Sequence, residues 1–439
     1  MSRASRLSGF TTAISGDTDL NVGIVTAKQL NVNQSFTFTD INVTGVATAS
    51  NLNVTGVSTL GNVVVGGATT DLVVNGNARV TGILTVGTSS LTLNGDSSTI
   101  SGITTINSVS LPSTGGLTNR NMVINGAMQV AQRGTSSTTL GYSTVDRFQV
   151  GLGGGTGVLT LSQSTDSPQG FANSFKVDVD TADTLTGDEE FYLDTRLEAQ
   201  DLQHLKYGTS SAESVTLSFW VKSFQTGQFS VLLYQADSNR DIFKEYTVNT
   251  SATWEYKTLT FPGDASGSFD DDNGLGLLVR FYLGAGPNRE GAVPTDWNAH
   301  ETADRVSSNQ VQVISSTSNY WQITGVQLEV GNQATSFEHR SYGDELQKCR
   351  RYFQHFTCGG SGTATGANQT QSAMCSVNYS PEMRDVPTIT FGTITSSTNC
   401  TGSISAFVPR KTGCSPGAQA TASGRQFWGV GLSTASSEI

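Results

Sequence analysis

Short runs in which apolar and polar residues alternate recur through the first quarter of the chain. A block of the form Gly, aliphatic, any residue, Thr, then Leu or Val begins at Gly23, Gly45 and Gly56, with weaker copies at Gly82 and Gly102. The spacing of the first three copies indicates an underlying period of about 11 residues. Alternation with a period of two predicts strands, so this region is expected to be repetitive and β-rich.

One copy of this repeat carries too few apolar side chains to bury a core by itself. Three copies of the chain wound around one axis would share an aliphatic stripe and leave no long strand edges exposed. We therefore expect residues 21–115 to form the β shaft of a homotrimer, with residues 1–20 as a segment that attaches it to a larger particle. A monomeric β-solenoid and a flexible linker are the alternatives.

A hinge at Ser113–Gly116 closes the predicted shaft, and beyond it the composition becomes globular. All five tryptophans lie there. Spaced strands with turns between them are typical of a β-sandwich or jelly roll, which we expect over residues 116–353. The apolar runs that predict strands include Val158–Leu161, Val215–Val221, Phe229–Tyr234, Tyr256–Phe261, Leu277–Leu283 and Tyr320–Val330.

One helix is predicted near residues 342–356. Ser341 is a suitable N-cap and Asp344, three residues later, a suitable capping-box partner. The apolar positions that follow fall on one helical face: Leu346, Cys349 and Phe353. The pair Gly359–Gly360 is expected to end the helix.

Residues 354–439 are expected to form a smaller β tip domain. Strands are predicted at Met374–Tyr379, Thr388–Ile394 and Ile404–Val408. The five cysteines lie between Cys349 and Cys414 without a C-x-x-C spacing, which argues against zinc and favours buried reduced thiols. A disulfide in the tip is the alternative.

Charge and hydropathy exclude two classes of partner. The net charge is −11 and only 14% of residues are charged, against roughly 25% in an average soluble protein. A nucleic-acid surface needs clustered Lys and Arg, so no nucleic acid is expected. No run approaches the roughly 20 apolar residues of a membrane span, so no membrane insertion is expected. The N-terminus also has no apolar segment of the kind found in signal peptides.

Two long motifs bracket the expected sandwich. The first is NRNMVINGAMQVAQRGTS from Asn119, followed by YSTVDRF from Tyr142. The second is WQITGVQLEVGNQATSFEHRSYGDELQKCRRYF from Trp321. This pair resembles a module common in tail fibre and tail tip proteins of tailed bacteriophages, over roughly residues 119–353. The shaft repeats are similar to those of structural proteins from phages of marine cyanobacteria. Phe148 stands where many relatives have Trp.

The resemblance implies a jelly-roll domain, similar to carbohydrate-binding modules, carried on a trimeric fibre. The expected fold is therefore all-β, with a trimeric shaft, a jelly-roll sandwich, a small C-terminal β domain and one short helix. The expected function is that of a virion tail fibre, assembled in the host cytoplasm, which attaches a tailed phage to a bacterial surface polysaccharide. The N-terminus would dock on baseplate or tail proteins. A purely structural virion appendage and a polysaccharide-degrading tailspike are the alternatives.

The residues give little sign of catalysis. There is no G-x-S-x-G elbow, and the four histidines show no metal-binding spacing. The acidic runs Asp270–Asp272 and Asp188–Glu190 place neighbouring carboxylates on opposite faces of an extended chain, which does not make a facing catalytic pair. We expect neither an enzyme nor a cofactor nor a metal, with a calcium site at Asp270, Asp272 and Asn273 as a minor alternative.

Glycan binding requires aromatic faces beside hydrogen-bonding groups. Trp297 lies in a polar loop between Asp296 and Asn298, and this loop follows Tyr282 in the chain. These four residues are the predicted glycan contacts in the sandwich, and Tyr379 and Trp428 are those in the tip. The alternative for Trp297 is that the ring anchors its own loop to the sandwich.

Overall fold

A computed structural model describes residues 119–301, 303–369 and 373–439. The predicted attachment segment (1–20), the shaft (21–115) and the hinge before residue 117 lie outside the described residues. What is described is almost entirely β-structure, which confirms the predicted fold class. Among these residues no helix has the length and hydropathy needed to cross a membrane.

Fourteen strands of the described chain precede the α-helix. They are β1 (Ser136–Ser137), β2 (Phe148–Gly153), β3 (Val158–Ser164), β4 (Ser174–Thr181), β5 (Glu190–Glu198), β6 (Val215–Ser223), β7 (Gly227–Gln235), β8 (Arg240–Val248), β9 (Glu255–Phe261), β10 (Leu275–Ala285), β11 (Glu290–Gly291), β12 (Asn298–Ala299), β13 (Val306–Ser307) and β14 (Tyr320–Val330). The described residues also form 3-10 turns at Ala199–Leu205, Pro287–Arg289 and Val313–Ser315.

Twelve of these strands form two six-stranded antiparallel sheets. The first sheet has the order β1-β3-β4-β14-β6-β9 and the second has the order β12-β8-β7-β10-β5-β2. The chain passes repeatedly from one sheet to the other, although β3 and β4, and likewise β7 and β8, are neighbours within one sheet. This is the jelly-roll sandwich expected from the sequence. Strands β11 and β13 form a separate parallel pair.

Strand β10 shows how alternation builds the core. In β10 the side chains of Leu277, Val279, Phe281 and Leu283 enter the core between the sheets, whereas Arg280 points to the other side. Since side chains on a strand alternate between faces, one strand supplies both the core and an outer surface.

The two long motifs that bracket the sandwich contact each other. Asn125 adopts a left-handed conformation (φ 61°), and its side-chain amide donates to the carbonyl groups of Val130 and Asp146. Its backbone N–H donates to Glu345 of the second motif, whose carboxylate lies 3.0 Å from the guanidinium of Arg340. The charged residues of both motifs thus take part in structural hydrogen bonds and ion pairs.

The single α-helix of the described chain, α1 (Tyr342–Arg350), begins as predicted. The backbone N–H of Asp344 donates to the hydroxyl of Ser341 at 3.2 Å, and this hydroxyl donates to the Asp344 carboxylate at 2.6 Å. The predicted end is wrong, because the chain becomes strand β15 (Phe353–Ala364) soon after Arg350. Hydrogen bonding to the C-terminal strand, which starts with the pairing of Phe353 and Ser436, replaces helical hydrogen bonding at this point.

The C-terminal region forms a third sheet of eight strands in the order β17-β21-β16-β15-β22-β18, with β19 paired to β22 and β20 paired to β21. The remaining strands are β16 (Ala373–Met374), β17 (Val377–Asn378), β18 (Thr388–Thr390), β19 (Ile394–Thr398), β20 (Cys400–Arg410), β21 (Gly413–Ala420) and β22 (Gly424–Ser436). All five cysteines are free thiols, two of them buried and three partly buried.

This third sheet is tied to the sandwich by charged hydrogen bonds. Arg351 forms two 2.7 Å contacts with the carboxylate of Glu198 on β5. Arg384 donates to the carbonyl of Asn273 at 2.7 Å, and the Asn273 amide donates back to the carbonyl of Arg384. Asn273, which the sequence offered as a minor calcium ligand, is therefore engaged in this contact. No group of three or more metal-ligating side chains occurs among the described residues.

Candidate functional site

The predicted contact Trp297 is an anchor and presents no face to a ligand. Its side chain is only 4% exposed, and its Nε1–H donates to the carbonyl of Pro262 at 2.8 Å. The ring meets the edge of Tyr207 at a centroid distance of 5.7 Å. The expectation of an open stacking face was therefore wrong, and the alternative, a ring that pins its own loop, describes the structure.

Tyr282 is also unavailable for stacking. Its side chain is fully buried on the outer side of the second sheet, and its hydroxyl donates to the carboxylate of Glu190 at 3.3 Å. Burial raises the pKa of Tyr282 to about 12. This residue supports the surface from below instead of contacting a ligand.

The two predicted contacts in the tip are buried as well. The hydroxyl of Tyr379 donates to the thiol of Cys414 at 3.3 Å. The Trp428 indole is 1% exposed, donates to the carbonyl of Ala373 at 2.9 Å and covers its cross-strand partner Gly360. Neither ring presents an open face to solvent, since Trp428 packs over a glycine in the sheet and Tyr379 is only 7% exposed.

Asp296 and Asn298 are exposed, as expected. Trp297 turns inward between them, so its two neighbours turn outward. They line a cleft of about 580 Å³ in the loop region before β13. We call this the acidic cleft; its carboxylate and carboxamide side chains belong to Asp241, Asp296, Asn298, Glu301 and Asp304.

A second depression, of about 240 Å³, lies on the outer face of the second sheet. We call it the arginine groove. Its lining residues are Arg196, Leu232, Tyr234, Leu275, Leu278, Arg280, His300 and Arg305. The two depressions adjoin, since Asp241 of the acidic cleft hydrogen-bonds Nδ1 of His300 in the groove.

Strand register assembles the groove. Leu278 on β10 is paired with Tyr234 on β7 and with Arg196 on β5, so these three side chains form one row across the sheet. Arg280 lies in the next row, between Leu232 and Asp194. Because cross-strand neighbours have Cβ atoms roughly 5 Å apart, the rows bring a ring, aliphatic groups and guanidinium groups within reach of one small ligand.

Aromatic side chains shape one wall. The rings of Tyr234 and His300 lie 4.4 Å apart at an interplanar angle of 49°. His300 is held on both sides, by Asp241 at Nδ1 and by an N–H of Arg305, 2.9 Å from Nε2. A ring fixed on both sides is a suitable surface for stacking because little side-chain entropy remains to be lost.

One buried and one partly buried carboxylate hold the central arginine in place. Arg280 contacts Asp194 at 3.0 Å and Glu190 at 3.4 Å, and its guanidinium lies 3.5 Å from the ring centroid of Tyr192. Burial by itself would lower the pKa of Arg280, but Tyr282, Asp194 and the other neighbours raise it above its ordinary value. Arg280 is therefore a permanent cation in a fixed orientation.

Sequence reasoning missed this groove. The one local signal is Arg280, a charge in the middle of the otherwise apolar run LGLLVRFYLGA. Such a residue in a long, mostly buried strand marks a face that is not simple core.

Another set of rings is exposed on the outer face of the first sheet. Trp220 and Tyr256 are cross-strand partners with ring centroids 5.4 Å apart, and Tyr256 is 44% exposed. Trp254 donates to Asp166 at 3.1 Å, and Lys222 lies 2.7 Å from the same carboxylate. We call this set the aromatic face.

No protein-family model and no curated protein matches the chain. Solved structures similar to it include the enzymatically active domain of tailspike protein 4 of bacteriophage CBA120, at 12% identity and a TM-score of 0.27 over 48% of this chain; the match spans about a fifth of that protein, 21%. They also include a putative sugar-binding protein from Bacteroides thetaiotaomicron, at 12% identity and a TM-score of 0.31 over 48% of this chain and 100% of that one. A family 11 carbohydrate-binding module from Clostridium thermocellum is similar at 13% identity and a TM-score of 0.24, over 47% and 98%.

Proposed function

We propose that this chain is a tail-fibre protein of a tailed phage, and that the arginine groove of its sandwich binds a bacterial surface polysaccharide. The fibre would be a homotrimer in the virion, docked at its N-terminus on baseplate or tail proteins. The observation that carries the binding proposal is the groove itself.

The groove has the composition that sugar recognition requires. Tyr234 and His300 offer a ring wall, and the partly exposed Leu275 offers an apolar surface for the C–H face of a pyranose. Arg196 and Arg305 bring N–H donors for ring hydroxyl and acidic oxygens. Ligand sites are typically concave with a few converging polar groups, and the groove is a depression of this kind.

The fibre part of the proposal rests on the sequence. One repeat of about 11 residues in the first quarter of the chain carries too few aliphatic side chains to bury a core alone, which favours a trimer over a monomeric solenoid or a linker. The paired motifs resemble phage tail-fibre modules. Three sites on one trimer would raise the apparent affinity by avidity, so each groove need bind only weakly.

We further propose that the groove binds its ligand without cleaving it. Hydrolysis of a glycosidic bond needs two carboxyl groups on opposite sides of the bond. The groove is lined by guanidinium, imidazole, phenol and aliphatic groups, and none of its lining side chains is a carboxylate.

The test is binding of the full chain to surface polysaccharides extracted from marine cyanobacteria, which the resemblance of the shaft repeats suggests as the first hosts to try. We expect Tyr234→Ala to weaken binding by at least about tenfold, which is 1.4 kcal/mol. Tyr256→Ala on the aromatic face is the matched control and should leave binding unchanged. A reversal of these two results would move the site to the first sheet.

Two further readouts separate the alternatives. A structural appendage without a receptor site would bind no polysaccharide from a susceptible host. A tailspike would shorten the polymer during incubation, which size-exclusion chromatography detects. Light scattering of the intact chain should give the mass of a trimer, and a monomer would remove the fibre part of the proposal.

A further inference from the structure

The charges around the arginine groove are sorted by sign. Apart from His300, its charged lining residues are all cations: Arg196, Arg280 and Arg305. The adjoining acidic cleft carries only carboxylates among its charged lining residues. The chain as a whole has a net charge of −11, so a depression lined by three guanidinium groups is a local exception.

The balancing carboxylates lie behind the groove. Asp194 is fully buried and lies 3.0 Å from Arg280, and Glu190 lies 3.5 Å from Arg305. Neither of these acids lines the groove. The carboxylates thus orient the guanidinium groups while the cations face the open side.

Each guanidinium has five N–H donors, and the contacts around the groove use only some of them. Arg196 donates to the main-chain oxygen of Ile439 at 2.6 Å and lies 3.5 Å from Asp194. Arg305 donates to the carbonyl of Glu301 at 3.0 Å and contacts His300 at 2.9 Å. Donors therefore remain for a ligand, and a guanidinium fork binds a carboxylate or sulfate through two parallel hydrogen bonds.

From this arrangement we infer that the arginine groove binds a sugar residue with one negative charge, a uronic-acid-type carboxylate or a sulfate ester, with the pyranose ring against Tyr234 and His300. The inference rests on the proposed function and specifies its ligand. One charge is favoured over two because buried carboxylates already offset part of the positive charge. The volume of about 240 Å³ is below the roughly 300–1,000 Å³ of sites for larger ligands, which fits a single ring.

The experiment compares three forms of one envelope polysaccharide, again from marine cyanobacteria: native, carboxyl-reduced and desulfated. We expect the full chain to bind the native polymer, and one of the two treatments to weaken binding by at least about tenfold. Loss on carboxyl reduction identifies a carboxylate, and loss on desulfation identifies a sulfate ester. Binding should also weaken as ionic strength rises, since screening acts on the charge contact.

Variants connect the effect to the groove. Arg305→Gln and Arg196→Gln should each weaken binding to the native polymer by about tenfold and abolish the difference between native and treated forms. Arg305→Lys keeps the positive charge but loses the forked guanidinium. Its binding to the native polymer should lie between that of the wild type and that of Arg305→Gln. Lys206→Gln removes one positive charge at an exposed site outside the groove and is the control for net charge. Circular dichroism and thermal unfolding show whether each variant is folded.

The possible failures are distinct. Binding that neither treatment changes, combined with a loss in Tyr234→Ala, would overturn the acidic ligand and leave the proposed function in place. Equal binding by Arg305→Gln and the wild type would also overturn the acidic ligand. Absence of binding to native polymer from susceptible cells would overturn both.

Discussion

The guanidinium carbon of Arg147 lies 3.4 Å from the centroid of the Tyr352 ring. Arg147 directly precedes β2, and Tyr352 connects α1 to β15. The same guanidinium forms an ion pair with Glu438, next to the end of the chain. Burial alone would lower the pKa of Arg147, but Glu438 and Tyr352 raise it above its ordinary value. One buried cation thus connects the sandwich, the helix and the C-terminal tail.

Replacing Arg147 with Met should strongly destabilise the protein. Removing one partner of a buried charge pair leaves the other uncompensated, at a cost of about 3 kcal/mol in the free energy of unfolding. We expect no larger cost because Arg133 also contacts Glu438, at 2.8 Å, and so partly compensates its charge. Lys206→Met is the control, since its pair with Glu213 is exposed and should contribute less than about 1 kcal/mol. Chemical denaturation measures both, and equal values would contradict the buried role of Arg147.

Glu198 should make stability depend on pH in acid. Burial tends to raise its pKa, but hydrogen bonds from Arg351 and Tyr352 hold it below the ordinary value of 4.5. The group therefore contributes stability above pH 4.5 that is lost as the pH falls through the lower pKa of the folded state. Glu198→Gln should cost about 1.5–3 kcal/mol at neutral pH, and its loss of stability in acid should be smaller than in the wild type. Denaturation curves at several pH values test this, and parallel profiles for the two proteins would count against it.

Gly360→Ala should destabilise the third sheet. A Cβ at residue 360 would lie 2.5 Å from Nε1 of Trp428, closer than side chains tolerate. We expect a cost of about 1–3 kcal/mol from overpacking, with a change in tryptophan fluorescence as the ring moves. Gly366→Ala is the matched control, because nothing lies within 4 Å of a Cβ there. A silent Gly360→Ala variant would mean that the indole does not cover this glycine.

Two substitutions of Trp297 separate anchoring from ligand contact. Trp297→Phe keeps a ring but loses the hydrogen bond to Pro262, at a cost of about 1 kcal/mol. Trp297→Ala also leaves a cavity and should cost about 3–5 kcal/mol. Both values come from denaturant unfolding without ligand. If Trp297→Ala unfolded like the wild type, the ring would not be anchoring the loop.

Local sequence patterns predicted the strands and the helix better than they predicted which side chains form surface sites. Alternation identified β6, β7, β10 and β14, and the Ser341–Asp344 pattern identified the start of α1. The end of α1 was not predicted because it depends on the pairing of β15 with β22, whose paired residues lie about 60 to 83 positions apart along the chain. A glycine pair was taken as a helix stop, although Gly359 and Gly360 lie inside a strand, where Gly360 makes room for the Trp428 indole.

The candidate site could not be predicted for a related reason. A tryptophan between two polar residues looks exposed in a sequence, yet the side chain of Trp297 alone turns inward while Asp296 and Asn298 stay at the surface. The arginine groove takes Tyr234, Arg280 and His300 from three separate segments. Only strand register and the path of the loop after β12 bring them together, and neither is encoded in a local pattern.

The position of β14 has a consequence for biosynthesis. This strand lies between β4 and β6 and hydrogen-bonds to both, so the first sheet stays in two halves until Val330 has left the ribosome. Until then the nascent chain carries two unpaired apolar strand edges, which are templates for aggregation. Contacts between residues so distant in sequence also form slowly. Production of this chain should therefore benefit from slow translation, low temperature and chaperones that shield open edges, and truncations that end before β14 should be insoluble.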